Sequence, residues 1–227
     1  MKQTIISIII LFSFNFHAIG HVNHYEKLNY LEYELFRNNQ SIGYHKYNFM
    51  RDGDSLSIVS EVSFKITKLG VDLYKYFAKS EENYEKGIFK SYFSKTKQNK
   101  KDRYVNIIFD TIDKNLKIDG SSYKGKADKE FIVGTWWNHE IVKAKAQISG
   151  ISGRIIEQTV TFIGKEDVKI GDRTYKTLRF NFKSSDETLP DSKKLNTDIW
   201  YEENTYLWVK AAFDKTGYWE YRIKTYK

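Results

Sequence analysis

Apolar and polar side chains alternate along much of this sequence. Leu31, Tyr33 and Leu35 share one phase, whereas Glu32 and Glu34 occupy the other. A period of two is typical of a β-strand that buries one face and exposes the other. The clearest series of this kind places apolar side chains on one face of a longer run, at Leu56, Ile58, Val62, Phe64 and Ile66. The pattern therefore predicts antiparallel strands.

Turn signals separate these runs at short intervals. Asp52-Gly53-Asp54 and Ile170-Gly171-Asp172 predict tight hairpins, and the lysine-rich segment 96–102 predicts a solvated hairpin tip. Up to Asp119 the pattern predicts a meander of about seven strands, and further strands follow Gly150. The sequence thus predicts a mainly β fold. We expect a strongly bent antiparallel sheet or an open β-barrel of about ten to twelve strands with one short helix.

The alternation stops between Lys124 and Ile141, where no strand is indicated. Asn138 is a favourable N-cap residue, and Glu140 and Lys143 place an acidic side chain early and a basic one late in the following turn. This distribution of charge favours a helix because it complements the helix dipole. The sequence therefore predicts a short helix over 139–146, at the junction between two sets of strands.

The first twenty residues predict a secretory signal peptide. Lys2 supplies a positive start, an apolar run extends over 4–16, and Ala18-Ile19-Gly20 has the small residues of a cleavage site. The apolar run is too short for a membrane span, and no later segment is apolar enough to cross a bilayer. We therefore expect cleavage near Gly20, one exported β-rich domain over 21–227, and a periplasmic or secreted location.

Composition narrows the possible chemistry. The chain of 227 residues has no cysteine, which excludes disulfides, thiolate nucleophiles and iron–sulfur centres. No cofactor or metal site is predicted. The formal charge of +8 fits either a solvated lysine-rich surface or attraction to an anionic membrane. Because the chain is predicted to be exported, nucleic acid is not an expected partner.

Several motifs together resemble a known family. They are Leu31-Glu32-Tyr33-Glu34-Leu35-Phe36-Arg37, Ile42-Gly43-Tyr44-His45, Thr135-Trp136-Trp137-Asn138, Asp198-Ile199-Trp200-Tyr201, Leu207-Trp208-Val209-Lys210 and Tyr218-Trp219-Glu220-Tyr221-Arg222. This set resembles a family of uncharacterised exported bacterial proteins of the half-barrel type, catalogued as a domain of unknown function. The family's central motif resembles Thr-x-Trp-Asn-Pro, and here His139 stands at the proline position. The resemblance implies an exported β-rich fold and no established activity; the architecture is also similar to that of periplasmic lipoprotein and lipid carriers.

The candidate site residues are Trp136, Trp137, Asn138, His139 and His45. In one interpretation the two tryptophans close the open end of a barrel and Asn138 caps the helix. In the other, the aromatic rings line a mouth for an apolar or carbohydrate ligand, which Asn138 and His139 would orient. His45 shares an inward phase with Tyr47 and Phe49, which favours a core histidine over a catalytic base.

No catalytic motif stands out. The chain contains no Gly-x-Ser-x-Gly, no His-Glu-x-x-His and no glycine-rich phosphate loop. Glu81 and Glu82 are adjacent, so on a strand they must face opposite sides of the sheet. The sequence therefore favours a non-enzymatic periplasmic module that binds or carries an apolar or lipid-like envelope molecule. A structural or assembly partner of another envelope protein is the alternative, and an envelope hydrolase built on His45 or His139 is the least favoured hypothesis.

Overall fold

The computed structural model describes residues 25–227, and the predicted signal peptide over 1–20 lies outside this range. The described strands are β1 (Tyr30–Arg37), β2 (Gln40–Asp52), β3 (Ser55–Lys68), β4 (Val71–Glu85), β5 (Ile88–Gln98), β6 (Lys101–Asp110), β7 (Asn115–Gly120), β8 (Lys124–Asp128), β9 (Ile132–Val133), β10 (Ala146–Ile148), β11 (Ile155–Ile170), β12 (Arg173–Ser184), β13 (Asn196–Glu202), β14 (Trp208–Asp214) and β15 (Tyr218–Tyr226). Short 3₁₀ helices occur at His139–Lys143 and Asp191–Lys193.

The fold is mainly β, but the predicted ten to twelve strands are too few. Fifteen strands are present in the described residues. The physical reason is that β8, β9 and β10 have only five, two and three residues. Runs of this length contain too little alternation to be separated from the surrounding loops. The seven strands predicted before Gly120 are confirmed as β1 to β7.

All the described strands belong to one sheet, in the order β8-β7-β6-β5-β4-β3-β2-β1-β15-β14-β13-β12-β11-β10-β9. The first and last strands are therefore neighbours in the middle of the sheet, where Leu35 pairs with Tyr221. Neighbouring strands are antiparallel throughout the described chain except β9 and β10, which are parallel. A parallel pair needs a crossover connection, and the segment 134–145 supplies it.

The sheet is an open barrel. Its edge strands, β8 and β9, are separated in the chain only by residues 129–131, so the sheet curves until its two edges approach each other. No backbone ladder joins β8 to β9 within the described range. A second hydrophobic cluster fills the space inside this junction, formed by Tyr92, Val105, Ile107, Leu116, Ile118, Ala127, Val133 and Ile148.

Backbone also approaches backbone closely at this junction. The amide of Ser122 donates to the carbonyl of Ser152 (2.8 Å). A Cβ at Gly120 would lie only 2.5 Å from the Ser152 carbonyl oxygen, so a larger residue would push the two segments apart. Glycine is therefore required at position 120 by the closure of the barrel, although a turn alone would not demand it.

The larger core follows the alternation read from the sequence. Leu31, Tyr33 and Leu35 are completely buried on the inner face of β1, as predicted. The Tyr33 hydroxyl donates to the Trp208 carbonyl (2.7 Å), so the buried phenol is satisfied. The turn predicted at Asp52-Gly53-Asp54 is confirmed, since Asp52 pairs with Ser55.

Two local predictions are corrected. The predicted hairpin tip over 96–102 shrinks to Asn99 and Lys100, because Thr96 faces inward and is buried near the end of β5. The predicted helix over 139–146 is a 3₁₀ helix limited to His139–Lys143. It ends there because Ala146 and Ile148 are buried as part of β10, which needs extended backbone. The N-cap role of Asn138 is confirmed, since its side chain accepts from the Glu140 amide (3.1 Å).

Candidate functional site

The crossover between β9 and β10 sends its two tryptophans in opposite directions. Three short backbone hydrogen bonds tighten this segment: Gly134 to Ile148, Thr135 to Val133, and Trp137 to Thr135. Trp136 has a φ of 59°, a left-handed conformation that is uncommon for a bulky residue. Such backbone strain persists only where the surrounding structure stabilises it. The turn places the Trp136 ring on a cavity and the Trp137 ring in the core.

Trp137 is part of the core. Its indole meets Tyr25, Phe49 and Tyr84 edge-on, with ring centroids 5.6–5.9 Å away. Its Nε1 donates to Glu82 Oε2 (2.9 Å). Trp137 therefore lies in the core and does not line the cavity.

Glu82 is the buried group that the sequence analysis missed. It lies on β4 and is only 2% exposed. Its carboxylate accepts from the Tyr84 hydroxyl, the Trp137 indole and the Thr135 hydroxyl. Burial raises the pKa of Glu82, while these three donors act in the opposite direction. The carboxylate therefore anchors the crossover to β4 through hydrogen bonds rather than through an ion pair.

Asn138 caps the 3₁₀ helix and His139 begins it, and neither residue lines the cavity. The imidazole of His139 stacks on Tyr206 with ring centroids 4.5 Å apart, and its Nε2 lies 3.2 Å from Glu140 Oε1. The contacts with His139 and Lys143 lower the pKa of Glu140 to about 2. His139 therefore holds the short helix against the turn between β13 and β14, and Asn138 caps it.

A cavity of about 530 Å³ lies inside the curve of the sheet. One wall comes from the inner faces of β3, β4 and β5, and it combines apolar groups with small hydroxyls. The opposite wall comes from the crossover and from the segment around Gly150. The first wall is formed by Ser60, Val62, Tyr76, Ala78, Ser80, Tyr92, Ser94 and Thr96. The cavity is thus an aromatic and hydroxyl-lined space within the size range of small-molecule sites.

His45 and Trp136 come together at the inner end of this cavity, next to Tyr221. The His45 ring stacks on Tyr47 with centroids 4.2 Å apart and meets Trp208 and Tyr221 edge-on. Both ring nitrogens of His45 are shielded from solvent and have no hydrogen-bond partner among the described residues. Burial lowers the pKa of His45 to about 3, so the imidazole is neutral at physiological pH.

The outer end of the cavity carries charges of both signs, from Arg154, Lys194 and Lys215 and from Asp191 and Asp214. Arg154 and Lys215 both line it, and each donates to a carbonyl of the Asp191–Lys193 helix. Burial and then the nearby Arg154 guanidinium lower the pKa of Lys215. Within the described chain neither cation forms an ion pair with a carboxylate, whereas Lys194, also at this end, pairs with Asp191. The mouth therefore presents two cations that a bound anion would stabilise.

Comparison with known proteins places this architecture in a family. A family model described as "Domain of unknown function (DUF6134)" matches residues 33–224. The chain belongs to this DUF6134 family. The match includes the crossover and both walls of the cavity, and it confirms the resemblance to an uncharacterised family that the motifs indicated. No curated protein matches the DUF6134 chain significantly.

A solved structure supports the fold of the DUF6134 chain. The crystal structure of a β-barrel-like protein of the domain of unknown function DUF1849, from Brucella abortus, aligns with a TM-score of 0.62. The alignment covers 88% of this chain and 97% of that chain at 10% sequence identity. At this identity the likeness shows a shared barrel-like fold alone. No helix within residues 25–227 has the length and apolar character needed to cross a membrane.

Proposed function

We propose that this DUF6134 protein is exported to the cell envelope, where it binds or carries an apolar or lipid-like molecule without reacting with it. The observation that carries this proposal is the cavity of about 530 Å³ inside the open barrel. Its inner end is aromatic, with Trp136, Tyr221 and a neutral His45. Its outer end is polar and charged. A cavity that changes from aromatic at its inner end to charged at its outer end suits an amphiphile that enters with its apolar tail first.

The environment of His45 argues against catalysis at this site. A general base is usually activated by a carboxylate or another group that orients its imidazole. Here aromatic rings surround His45, and no hydrogen-bond partner among the described residues holds either nitrogen. Its lowered pKa makes it a weak base. The surroundings of His45 therefore support a binding role over a hydrolytic one.

A pair of variants on β4 tests the proposal. Ala78 lines the cavity, whereas the next residue, Lys79, is exposed on the outer face of the same strand. Ala78→Phe should fill the cavity, and Lys79→Phe adds the same side chain outside it. The probe is 11-(dansylamino)undecanoic acid, and its fluorescence reports binding. We expect Ala78→Phe to abolish binding and Lys79→Phe to leave it unchanged.

Two results would refute the carrier proposal. One is that the unmodified protein, folded by circular dichroism, neither binds the probe nor retains an amphiphile in native mass spectra of the protein as purified. The other is that Ala78→Phe folds normally and still binds the probe with unchanged affinity. Equal weakening by Lys79→Phe would show that the probe binds outside the cavity.

The free edge of β11 supports a second candidate function, docking of another envelope protein. β10 pairs with β11 only from Ile155 to Glu157, whereas β12 pairs with β11 on its other side as far as Ile170. Exposed backbone of this kind can accept a strand from a partner. Phe162 on this edge is half exposed. A photo-crosslinker at position 162 should capture one defined partner in cells. A crosslinker at Phe93, which lies on a strand with a neighbour on each side, should not. Identical products at both positions would exclude the edge as the docking site.

A further inference from the structure

Two hairpins end side by side at one rim of the barrel. The turn between β3 and β4 contains Leu69 and Gly70, and the turn between β5 and β6 contains Asn99 and Lys100. Backbone and side chain tie them together, since the Lys75 amide donates to Asn99 Oδ1 (2.7 Å) and the Asn99 amide donates to the Lys75 carbonyl (2.9 Å). We call residues 65–77 and 97–103 the paired hairpin ends. They form one continuous surface.

The first hairpin exposes apolar side chains at its end. Leu69 is 95% exposed, Val71 61% and Leu73 55%. Leu69 also has a φ of 50°, in a two-residue turn that asparagine, aspartate or glycine would adopt at lower cost. Neither folding of the turn nor core packing accounts for a leucine here. A cluster of exposed apolar side chains at one tip is typical of a surface that contacts another phase or a partner.

Basic side chains surround this apolar tip. The paired hairpin ends contain seven lysines and arginines against two aspartates. Asp72 already bridges Lys65 and Lys75, which lower its pKa to about 2 together with Thr67. No ion pair among the described residues neutralises Lys68, Lys97, Lys100 or Lys101. A groove between the hairpins is lined by Lys75, Lys100, Lys101 and Arg103. This charge suits phosphate groups.

The paired hairpin ends lie at the same end of the barrel as the cavity mouth. A chain of ring contacts connects the two. Phe213 lines the outer part of the cavity and stacks on Trp219 (5.9 Å), and Trp219 meets Phe64 edge-on (5.3 Å). Phe64 in turn stacks on Tyr74 (5.9 Å), next to the exposed Leu73. A surface that rests on the hairpin ends would therefore be close to the cavity opening.

We propose that the paired hairpin ends dock on an anionic phospholipid bilayer. Leu69, Val71 and Leu73 enter the boundary between head groups and acyl chains, and the lysines of the second hairpin contact lipid phosphates. Reversible binding to a membrane surface requires two contributions, burial of apolar anchors and attraction of several cations to anionic lipids. The docked orientation turns the cavity mouth toward the bilayer. Docking through the outer rim does not depend on whether the cavity binds a ligand.

Vesicle cosedimentation tests the proposal. The chain is expressed in full, purified in the form that the cell produces, and mixed with vesicles of phosphatidylcholine alone or with added phosphatidylglycerol. We expect binding only to the anionic vesicles and loss of binding in high salt. Each lysine near an anionic surface contributes about fivefold, so Lys100→Gln with Lys101→Gln should weaken binding by roughly 30-fold. Leu69→Ser with Leu73→Ser should weaken it by at least about tenfold.

The β6–β7 hairpin offers a matched control. Ile112 is 89% exposed, and Lys114 follows it in a turn at the opposite end of β6. Ile112→Ser with Lys114→Gln changes the same kinds of side chain and should leave vesicle binding unchanged. Circular dichroism and thermal unfolding establish that each variant is folded. Failure of the unmodified chain to bind anionic vesicles would overturn the proposal, and so would equal weakening by the control, which would indicate attraction through net charge alone.

Discussion

Replacing His45 with phenylalanine tests whether the inner end of the cavity keeps this imidazole neutral. Both ring nitrogens are shielded and unpartnered within the described range, and burial lowers the pKa of His45 from 6.5 to about 3. Phenylalanine can keep the stacking on Tyr47 and removes the two nitrogens. Buried polar atoms without partners destabilise the folded state. We therefore expect His45→Phe to fold and to be at least as stable as the unmodified protein.

The difference in free energy of unfolding between the unmodified protein and His45→Phe depends on pH. In the folded protein His45 stays neutral down to about pH 3, whereas in the unfolded chain it gains a proton below pH 6.5. The unfolded chain then binds more protons, so acid favours unfolding. Each pH unit below the unfolded pKa contributes about 1.4 kcal/mol. From about pH 7.5 to about pH 5, His45 should therefore reduce the free energy of unfolding by about 2 kcal/mol relative to the variant.

Urea unfolding followed by tryptophan fluorescence at these two pH values measures this difference. The other titrating groups are common to both proteins, so their effects cancel in the comparison. His45→Gln serves as a control. It also removes the titrating ring but leaves a polar amide among aromatic side chains, so it should be less stable than His45→Phe at both pH values. An unchanged gap between the unmodified protein and His45→Phe at the two pH values would mean that folded His45 accepts a proton, and the reasoning would be wrong.

Three further predictions concern the crossover and the mouth. Glu82→Leu removes the acceptor of the Trp137 indole and should destabilise the protein by about 3 kcal/mol or more in urea unfolding, whereas Glu82→Gln keeps one acceptor oxygen and should lose less. Trp137→Ala should lower the free energy of unfolding by about 3–5 kcal/mol, whereas Trp136→Ala should chiefly reduce binding of the dansyl probe. Equal losses of stability in the two variants would contradict the assignment of Trp137 to the core and Trp136 to the cavity. Lys215→Gln should weaken binding of dodecanoate, and not of dodecanol, by up to about fivefold in calorimetry, because Arg154 and Lys215 lie at the mouth.

The sequence could predict the fold where alternation is long. Leu31, Tyr33 and Leu35 showed their buried face directly, and glycine marked the turn at Gly53. The short strands could not be predicted, because two residues such as Ile132 and Val133 carry no period. Their extended conformation depends on pairing with β10 and on the closure of the barrel. Closure of the barrel is a property of the whole sheet, so a short stretch of sequence gives little indication of it.

The candidate site was predicted in part. The sequence identified His45 and Trp136, which do come together at the cavity. It could not separate Trp136 from Trp137, because the left-handed backbone at Trp136 is set by the crossover. The rule that Glu81 and Glu82 face opposite sides is confirmed. The importance of Glu82 was missed because one of its donors, Trp137, is 55 residues away in the chain.

One wall of the cavity is held by fewer hydrogen bonds than the paired strands opposite it. On this wall the Tyr92 and Ser94 hydroxyls both donate to the Gly150 carbonyl, which joins β5 to the segment after β10. These two bonds are fewer than the bonds of a strand ladder, so we expect this wall to open more readily than the sheet. The Glu82–Trp137 contact holds the neighbouring crossover, before β10. The crossover is therefore fixed on β4, and the segment around Gly150 is the part of the cavity wall with the weaker attachment.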